Sequence, residues 1–405
     1  VNCSPRTASV AAALAAAAFA STALAQAPQT GRGGGGANPD VRSYALFRDL
    51  FNTFGEWHGP ILNVAYQPQL QYQYSSNPNG NGKGINDFYG SVALGAYMWI
   101  TPELSINANV SLDQVASPQN PDQWAFYGEG IQAGDIWIEW TDQRTGIIAG
   151  RFTSLFGLAP RLLPGVFDTN IVNNYSFGGL LGVQGSLSTG DEGGGIHSLN
   201  VEGFGVDTTF LSGSVITPTP RPTGPGTGGG MDSFCINYTG ANIPFIFPTL
   251  QVSASYIQFG TGDGAPVQQK GMDIGFSWQY VIDGSSDATL DARYFTVGPL
   301  FEYAHFWDAG GVANAWSDYY TFGIIGNYGN WQSDVAFTWQ PQYTPGSSND
   351  DGFLVSANIG YNFFGPQSLV QLGYAYQQTG DQDNHQIGLQ VNLPINMLQY
   401  FPIGD

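Results

Sequence analysis

Residues 62–74 read LNVAYQPQLQYQY. Leu62, Val64, Tyr66, Pro68, Leu70, Tyr72 and Tyr74 are apolar, aromatic or proline; Asn63, Ala65, Gln67, Gln69, Gln71 and Gln73 between them are polar or small. Period two places these sets on opposite faces of one strand. A soluble sheet facing water usually shows lysine, arginine or glutamate there, and this face shows glutamine and asparagine. Uncharged polar side chains suit an enclosed wet space, which leaves the apolar stripe to meet lipid.

Composition points the same way. Only 10% of the 405 residues are charged, where a soluble domain carries about 25%, while 14% are aromatic and 56 are glycine. After the N-terminal segment there is no apolar run of the roughly 18 residues a membrane helix needs. Few charges, many aromatics and no extended helical period predict an all-β chain whose surface largely avoids water.

Alternation recurs along the chain. Leu104, Ile106, Ala108, Val110 and Leu112 oppose Ser105, Asn107, Asn109, Ser111 and Asp113; Met272, Ile274, Phe276, Trp278 and Tyr280 oppose Asp273, Gly275, Ser277 and Gln279. Strands are expected near 61–74, 87–100, 104–114, 132–141, 145–153, 176–188, 195–208, 232–240, 249–260, 270–281, 287–306, 316–327, 331–342, 352–364, 368–378 and 385–395. The segments 196–207 and 290–305 alternate less cleanly, as a bulge near Gly203 or Gly298 would cause. Long connections follow odd strands and short ones mostly follow even strands. That parity predicts a transmembrane antiparallel up-and-down β-barrel of about 16 strands, with short periplasmic turns and long external loops.

Residues 1–25 read as a cleaved signal peptide: Arg6, an alanine-rich core over 8–20, then Ala23-Leu24-Ala25. Residues 26–59 read as a periplasmic linker, with a short amphipathic helix over 40–58 that either packs beneath the barrel, the preferred reading, or plugs it. Residues 60–405 form the barrel. Cys3 leaves with the signal and Cys235 stands alone, so no internal disulfide is expected.

Residues 146–180 read GIIAGRFTSLFGLAPRLLPGVFDTNIVNNYSFGGL. Gly150-Arg151-Phe152 ends a strand, and about twenty residues precede the next. Together with Phe167-Asp168 and Asn174-Tyr175-Ser176-Phe177-Gly178, this segment resembles Gram-negative outer-membrane porins, loosely the carbohydrate-selective porin family. The resemblance implies an inward-folded loop over 154–175, passage of sugars or other small hydrophilic solutes, and a homotrimer. The C-terminus, Pro402-Ile403-Gly404-Asp405, departs from the porin habit of ending on an aromatic.

Alternation places Arg151 on the lumen side, opposite in phase to Ile148 and Phe152. Arg161 and Asp168 lie on the constriction loop. Arg293 and Asp291 share a lumen phase, and Asp135, Glu139 and Asp273 point inward with Asp113 and Asp334. Charges on facing walls would orient polar solutes, and the carboxylate excess, formally −20 for the whole chain, predicts preference for cations. Inward Trp137, Tyr97 and Trp99 would offer stacking surfaces, or simply fill space. His58, His197, His305 and His385 show no metal-ligand spacing, so neither a metal nor a cofactor is expected. No basic patch suggests nucleic acid. The leading reading is an outer-membrane porin and not an enzyme. A barrel acting as a surface receptor or lipid-hydrolysing enzyme is the first alternative, and a secreted soluble β-protein the second.

Overall fold

The computed structural model describes residues 60–400 apart from 79, 81, 143, 192–193, 244–248, 284–294, 348–350 and 364–367. The signal peptide, the linker with its helix, the end of the chain, and the candidates Asp291 and Arg293 lie outside the described residues.

One antiparallel sheet runs through the described residues and closes on itself. Its strands are β1 (Ile61–Ser75), β2 (Ile85–Trp99), β3 (Leu104–Gln114), β4 (Glu129–Thr141), β5 (Thr145–Phe152), β6 (Leu180–Asp191), β7 (Gly195–Val206), β8 (Ser233–Ile243) and β9 (Leu250–Gln258). The circuit continues through β10 (Lys270–Ser277 with Tyr280–Asp283), β11 (Phe295–Trp307), β12 (Trp316–Tyr328) and β13 (Trp331–Gln340 with Gln342–Tyr343). It ends with β14 (Gly352–Asn362), β15 (Leu369–Thr379) and β16 (Gln382–Asn392 with Ile395–Tyr400). Three wall positions are thus built from two short segments each, and the closed barrel has sixteen strands. Each pairs with its sequence neighbours, and β1 pairs with β16.

The two faces of the opening stretch separate as alternation predicts. Leu70 is 49% exposed on the outside, whereas Gln71 beside it is 5% exposed on the inside. Leu94, Ile106, Ile138, Ile147, Ile236, Ile274, Ile324, Val335, Ile359, Leu372 and Leu389 continue the outer apolar belt around the barrel. An exposed belt of this extent is an unfavourable surface in water and a favourable one in hydrocarbon. Aromatics border it at both ends. Trp316 stacks on Tyr343 and Tyr320 on Trp339 towards the long-loop end; Trp331 packs on Tyr361 and Phe295 on Tyr328 towards the short-turn end. Such girdles suit the two membrane–water boundaries.

Pro68 sits in the closing seam. It keeps register with Val92 of β2. On its other side the β1–β16 ladder is interrupted between Tyr66 and Gln69, where β16 carries Pro394. Leu393 still donates its N–H to the Pro68 carbonyl at 3.0 Å. The missing donor therefore removes one rung without shifting the register, and no bulge is needed.

The expected bulges at Gly203 and Gly298 are absent: β6–β7 and β11–β12 pair without a register shift. Their alternation is weak for another reason. Phe204, Leu300, Ala304 and Phe306 point inward yet are apolar, because a folded loop packs on them. Among the described residues the register shifts elsewhere: in β3–β4 between Ala108 and Val110, where β4 carries the extra residue, in β8–β9 between Gly240 and Ile243, and in β10–β11 between Val281 and Asp283.

Loop chemistry finishes the fold. In one short turn Asp142 Oδ1 accepts the N–H groups of Arg144 and Thr145, both at 2.7 Å, and these bonds hold its carboxyl below the ordinary aspartate range. At the other end β5 stops short and leaves the upper edge of β4 unpaired. The proline- and glycine-rich 207–232 loop covers that edge: Val215 N donates to the Ile131 carbonyl at 2.9 Å, and Thr217 Oγ1 to the Glu129 carbonyl at 2.6 Å.

If the belt meets hydrocarbon, Ile324→Arg, near the middle of β12, should destabilise the barrel by about 2–4 kcal/mol. Refolding into lipid vesicles, followed by heat-modifiable gel mobility, measures this. An unchanged folding equilibrium would contradict the membrane assignment.

Candidate constriction site

The loop 153–179 folds into the barrel. Pro160 opens a single helical turn, α1 (Ala159–Leu162), and Val172–Tyr175 forms a 3₁₀ turn. Phe152, Phe156, Leu163, Phe167, Ile171, Val172 and Tyr175 are buried against the inner wall. Phe156 meets Phe306 with ring centroids 5.5 Å apart, Tyr175 meets Tyr319 at 4.8 Å, and Phe177 meets Phe259 at 4.7 Å. The apolar side chains read from sequence as loop content are the core of the contact.

A loop placed inside a barrel cannot join the sheet ladder, so its N–H groups need other acceptors. Wall carboxylates supply them. Glu202 of β7 accepts from Ser154 Oγ at 2.7 Å and Leu155 N at 3.0 Å. Asp273 of β10 accepts from Gly157 N at 3.2 Å. Glu302 of β11 accepts from Leu158 N, from Ala159 N at 2.8 Å and from Tyr175 OH at 2.6 Å. Further along, Val166 N donates to Asn358 Oδ1 of β14 at 3.0 Å, and Gln371 Nε2 of β15 donates to the Pro164 carbonyl at 3.3 Å. The loop is thereby fastened along the inner wall from β7 to β15. Charge-assisted bonds of this kind are about twice as strong as neutral ones.

The sequence candidates divide accordingly. Asp273 and Asp168 are loop anchors, both buried. Arg161 rides on α1, its Nε donating to the Gly157 carbonyl at 2.7 Å. Asp135, Glu139, Trp137, Tyr97 and Trp99 gather on the wall of β2–β4, diametrically across a sixteen-strand ring from β10 and β11. Their register confirms that they share the inner face: Tyr97 lies opposite Asn107, which lies opposite Trp137, and Trp99 lies opposite Ser105, which lies opposite Glu139. Glu139 Oε2 accepts from Trp137 Nε1 at 3.4 Å and from Asn107 Nδ2 at 3.5 Å; Asp135 Oδ1 accepts from Thr153 Oγ1 at 3.3 Å.

Arg151 is a correction. Ile148 and Phe152 are the inward residues of β5, packed inside, while Arg151 lies in register with outward Ile136 and exposed Leu181. Its guanidinium turns along the wall instead. It pairs with Asp207 at 3.0 Å, donates to the Ala133 carbonyl at 2.8 Å, and donates to the Gly134 carbonyl. The bulge in β4 frees these carbonyls from the ladder, and Arg151 satisfies them. Gly150 makes the close approach possible: its φ is +142°, and a Cβ there would collide with the Ile136 carbonyl. Arg151 therefore braces the root of the loop and does not line the lumen.

Glu202, Glu302 and Asp207 escaped the sequence reading. Glu202 and Glu302 sit in the two segments whose inward faces are apolar, so the alternation that would have marked them as inward was blurred. Each is a lone acid in a run of glycine and large apolar residues, and that was the available signal.

His197 and Ser198 do not meet each other. His197 Nδ1 bonds Tyr238 OH at 2.7 Å, whereas adjacent Ser198 bonds Ser188 at 2.8 Å on the opposite face. No group of three or more His, Cys, Asp or Glu side chains gathers as a metal site among the described residues.

No known protein family matches the chain, and no curated protein does. Solved structures do. The outer membrane channel DcaP of Acinetobacter baumannii is 14% identical with a TM-score of 0.52, the match covering 84% of this chain and 99% of that one. The outer membrane protein opdK from Pseudomonas aeruginosa is 10% identical with a TM-score of 0.50, covering 83% of this chain and 99% of that one. At such identities the likeness is one of fold: this chain has the closed sixteen-strand barrel of outer-membrane channels.

Glu302→Ala should free the first half of the loop, because each buried donor left without its acceptor costs about 1–3 kcal/mol. Limited proteolysis should then cut within 153–179 while the barrel keeps its heat-modifiable mobility. A loop as resistant as in the parent would show that the carboxylate does not hold it.

Proposed function

We propose that the protein is an outer-membrane porin that passes small hydrophilic solutes by diffusion and prefers cations. One observation carries this reading. Among the described strand residues the only basic side chains are Arg151 and Lys270, and both occupy outward register positions, Lys270 opposite exposed Trp307. Among the same described residues eight acidic side chains point inward: Asp87, Asp113, Asp135, Glu139, Glu202, Asp273, Glu302 and Asp334. A wall carrying one sign of charge favours the opposite sign in its lumen.

The acids serve two purposes. Glu202, Asp273 and Glu302 are turned to loop N–H groups, so their charge is spent on holding the loop. Asp87, Asp113, Asp135 and Glu139 stand on β2–β4, where only Asp135 touches the loop, at its first residue, Thr153. These four set the selectivity. They are buried within the barrel, as are Asn107 and Trp137, which supports a tight passage over a wide general pore. Trp137, Tyr97 and Trp99 present aromatic groups at the level of Asp135 and Glu139, a suitable surface for sugar rings or organic cations. The outer apolar belt supports residence in the outer membrane.

In planar bilayers the refolded protein should give small conductance steps with a reversal potential favouring cations in a KCl gradient. Asp135→Asn with Glu139→Gln should reduce that preference several-fold and leave the barrel folded. Anion preference, or a folded protein that never conducts, would overturn the porin reading.

A further inference from the structure

The wall is incomplete at β5. That strand has 8 residues, where a strand crossing a bilayer needs about 9–11. Above Phe152 the chain leaves to form the inward loop, and β4 continues from Gly134 to Glu129 with no strand on that side. An unpaired edge cannot stand in hydrocarbon. The 207–217 segment occupies the vacant place. It starts at Asp207, paired with the Arg151 guanidinium that takes the Ala133 and Gly134 carbonyls. It then climbs along β4: Ser214 bridges to Gln132, Val215 N donates to the Ile131 carbonyl, and Thr217 Oγ1 donates to the Glu129 carbonyl. Gly130 permits this approach, since a Cβ there would collide with Ser214 Oγ.

Two independent features of this segment suit lipid and not water. The first is its side chains. Phe210 is 86% exposed and Val215 80%, the highest values of any large apolar side chain among the described residues, and Ile216 is 61% exposed. No charged residue falls between Asp207 and Arg221. The second is its backbone. Thr209 N donates to Asp207 Oδ1 at 2.8 Å, Leu211 N to Thr209 Oγ1 at 3.3 Å and Ser214 N to Thr219 Oγ1 at 3.2 Å. Ser212 N donates to the Thr209 carbonyl at 3.2 Å, and Gly213 N to the Phe210 carbonyl at 3.3 Å. With Val215 N, nearly the whole run of donors is satisfied within the protein. A loop in water can leave such groups to solvent; one in hydrocarbon cannot.

We propose that 207–217 is part of the membrane-facing wall and not an external loop, with Phe210, Val215 and Ile216 seated among lipid acyl chains. Height agrees with this. Ile131, beside Val215, stands on β4 well above Trp140, which is 42% exposed next to the short turn. At the rise and tilt of barrel strands that separation is roughly 20 Å, inside a belt about 25 Å tall. Continuity identifies the occupant. Ile131 is itself 39% exposed, and through Leu112 and Val110 it leads into the outer belt of β3. The same lipid that covers the belt therefore covers the segment. This inference rests on residence in a membrane and not on which solute passes.

The test places the photo-reactive benzoylphenylalanine at single positions of the full chain, refolded into dilauroylphosphatidylcholine vesicles. Light-induced adducts are read by intact mass. In place of Phe210 or Val215 it should add the mass of one phospholipid, in a yield close to that at Ile324, the reference within the belt. In place of Ser347, exposed on another loop, the yield should be several-fold lower. Phe210→Arg should lower the folding equilibrium constant several-fold in the same vesicles, as a charge facing lipid does, and Ser347→Arg should leave it unchanged. If Phe210→Arg does not refold at all, the adducts decide. Lipid adducts at 324 but not at 210 and 215 would overturn the proposal while leaving the membrane assignment intact. Chain-to-chain adducts at 210 and 215 in place of lipid, the signature of a second copy on this face, would also overturn it. So would a Phe210→Arg barrel that folds as the parent does.

Discussion

Every backbone N–H and C=O that meets hydrocarbon must find its partner within the protein, because lipid offers none. The rest of this structure follows from that constraint. It requires sixteen strands to form a ring, and it requires β1 to find β16 across the whole length of the chain. It also explains how Pro68 is tolerated. The proline lacks a donor, but it sits where its neighbour in β16 still donates to its carbonyl, so one rung is lost and the register survives. The same need for partners recurs at the upper edge of β4, which the 207–232 loop covers, and at the β4 bulge, whose freed carbonyls Arg151 satisfies.

Inside the barrel the constraint takes a second form. The 153–179 loop cannot borrow ladder partners, and its apolar residues need a dry surface. The wall from β7 to β15 meets both needs. Phe204, Leu300 and Phe306 provide the apolar ground, while Glu202, Asp273 and Glu302 accept the N–H groups. An acid in a lumen is therefore not automatically a pore charge. The acids beside the loop organise the chain, and in the proposed porin those across the ring on β2–β4 are the ones left to act on a solute. The half of the wall that carries the loop behaves as protein core and the other half does not, and this division gives the barrel its asymmetry.

The two halves were unequally legible in the sequence. On β3, β13 and the opening strand, apolar and polar residues alternate because each side of the wall meets one medium, and both strand positions and faces can be read directly. On β7 and β11 the inward side meets a folded loop, so phenylalanine and leucine stand where glutamine would stand elsewhere. The alternation fades there, and Glu202 and Glu302 fade with it. Arg151 shows the complementary error. A basic residue at the root of a constriction loop invites assignment to the lumen, yet its phase puts it on the other side, and the bulge that gives it work involves β3 and β4, which no local pattern around Arg151 reveals.

The sequence by itself determined the architecture: period-two alternation, scarce charge, abundant aromatics, and long and short connections in turn specify a membrane barrel of about sixteen strands. These are properties of each segment against its solvent, and they repeat every few residues. Only the tertiary structure decided what the acids do. Whether a carboxylate faces pore water, a loop N–H or another carboxylate depends on contacts between residues far apart in the chain. Ser154 with Glu202, Tyr175 with Glu302 and Asp168 with Asp334 are such contacts, and spacing along the chain carries no trace of them.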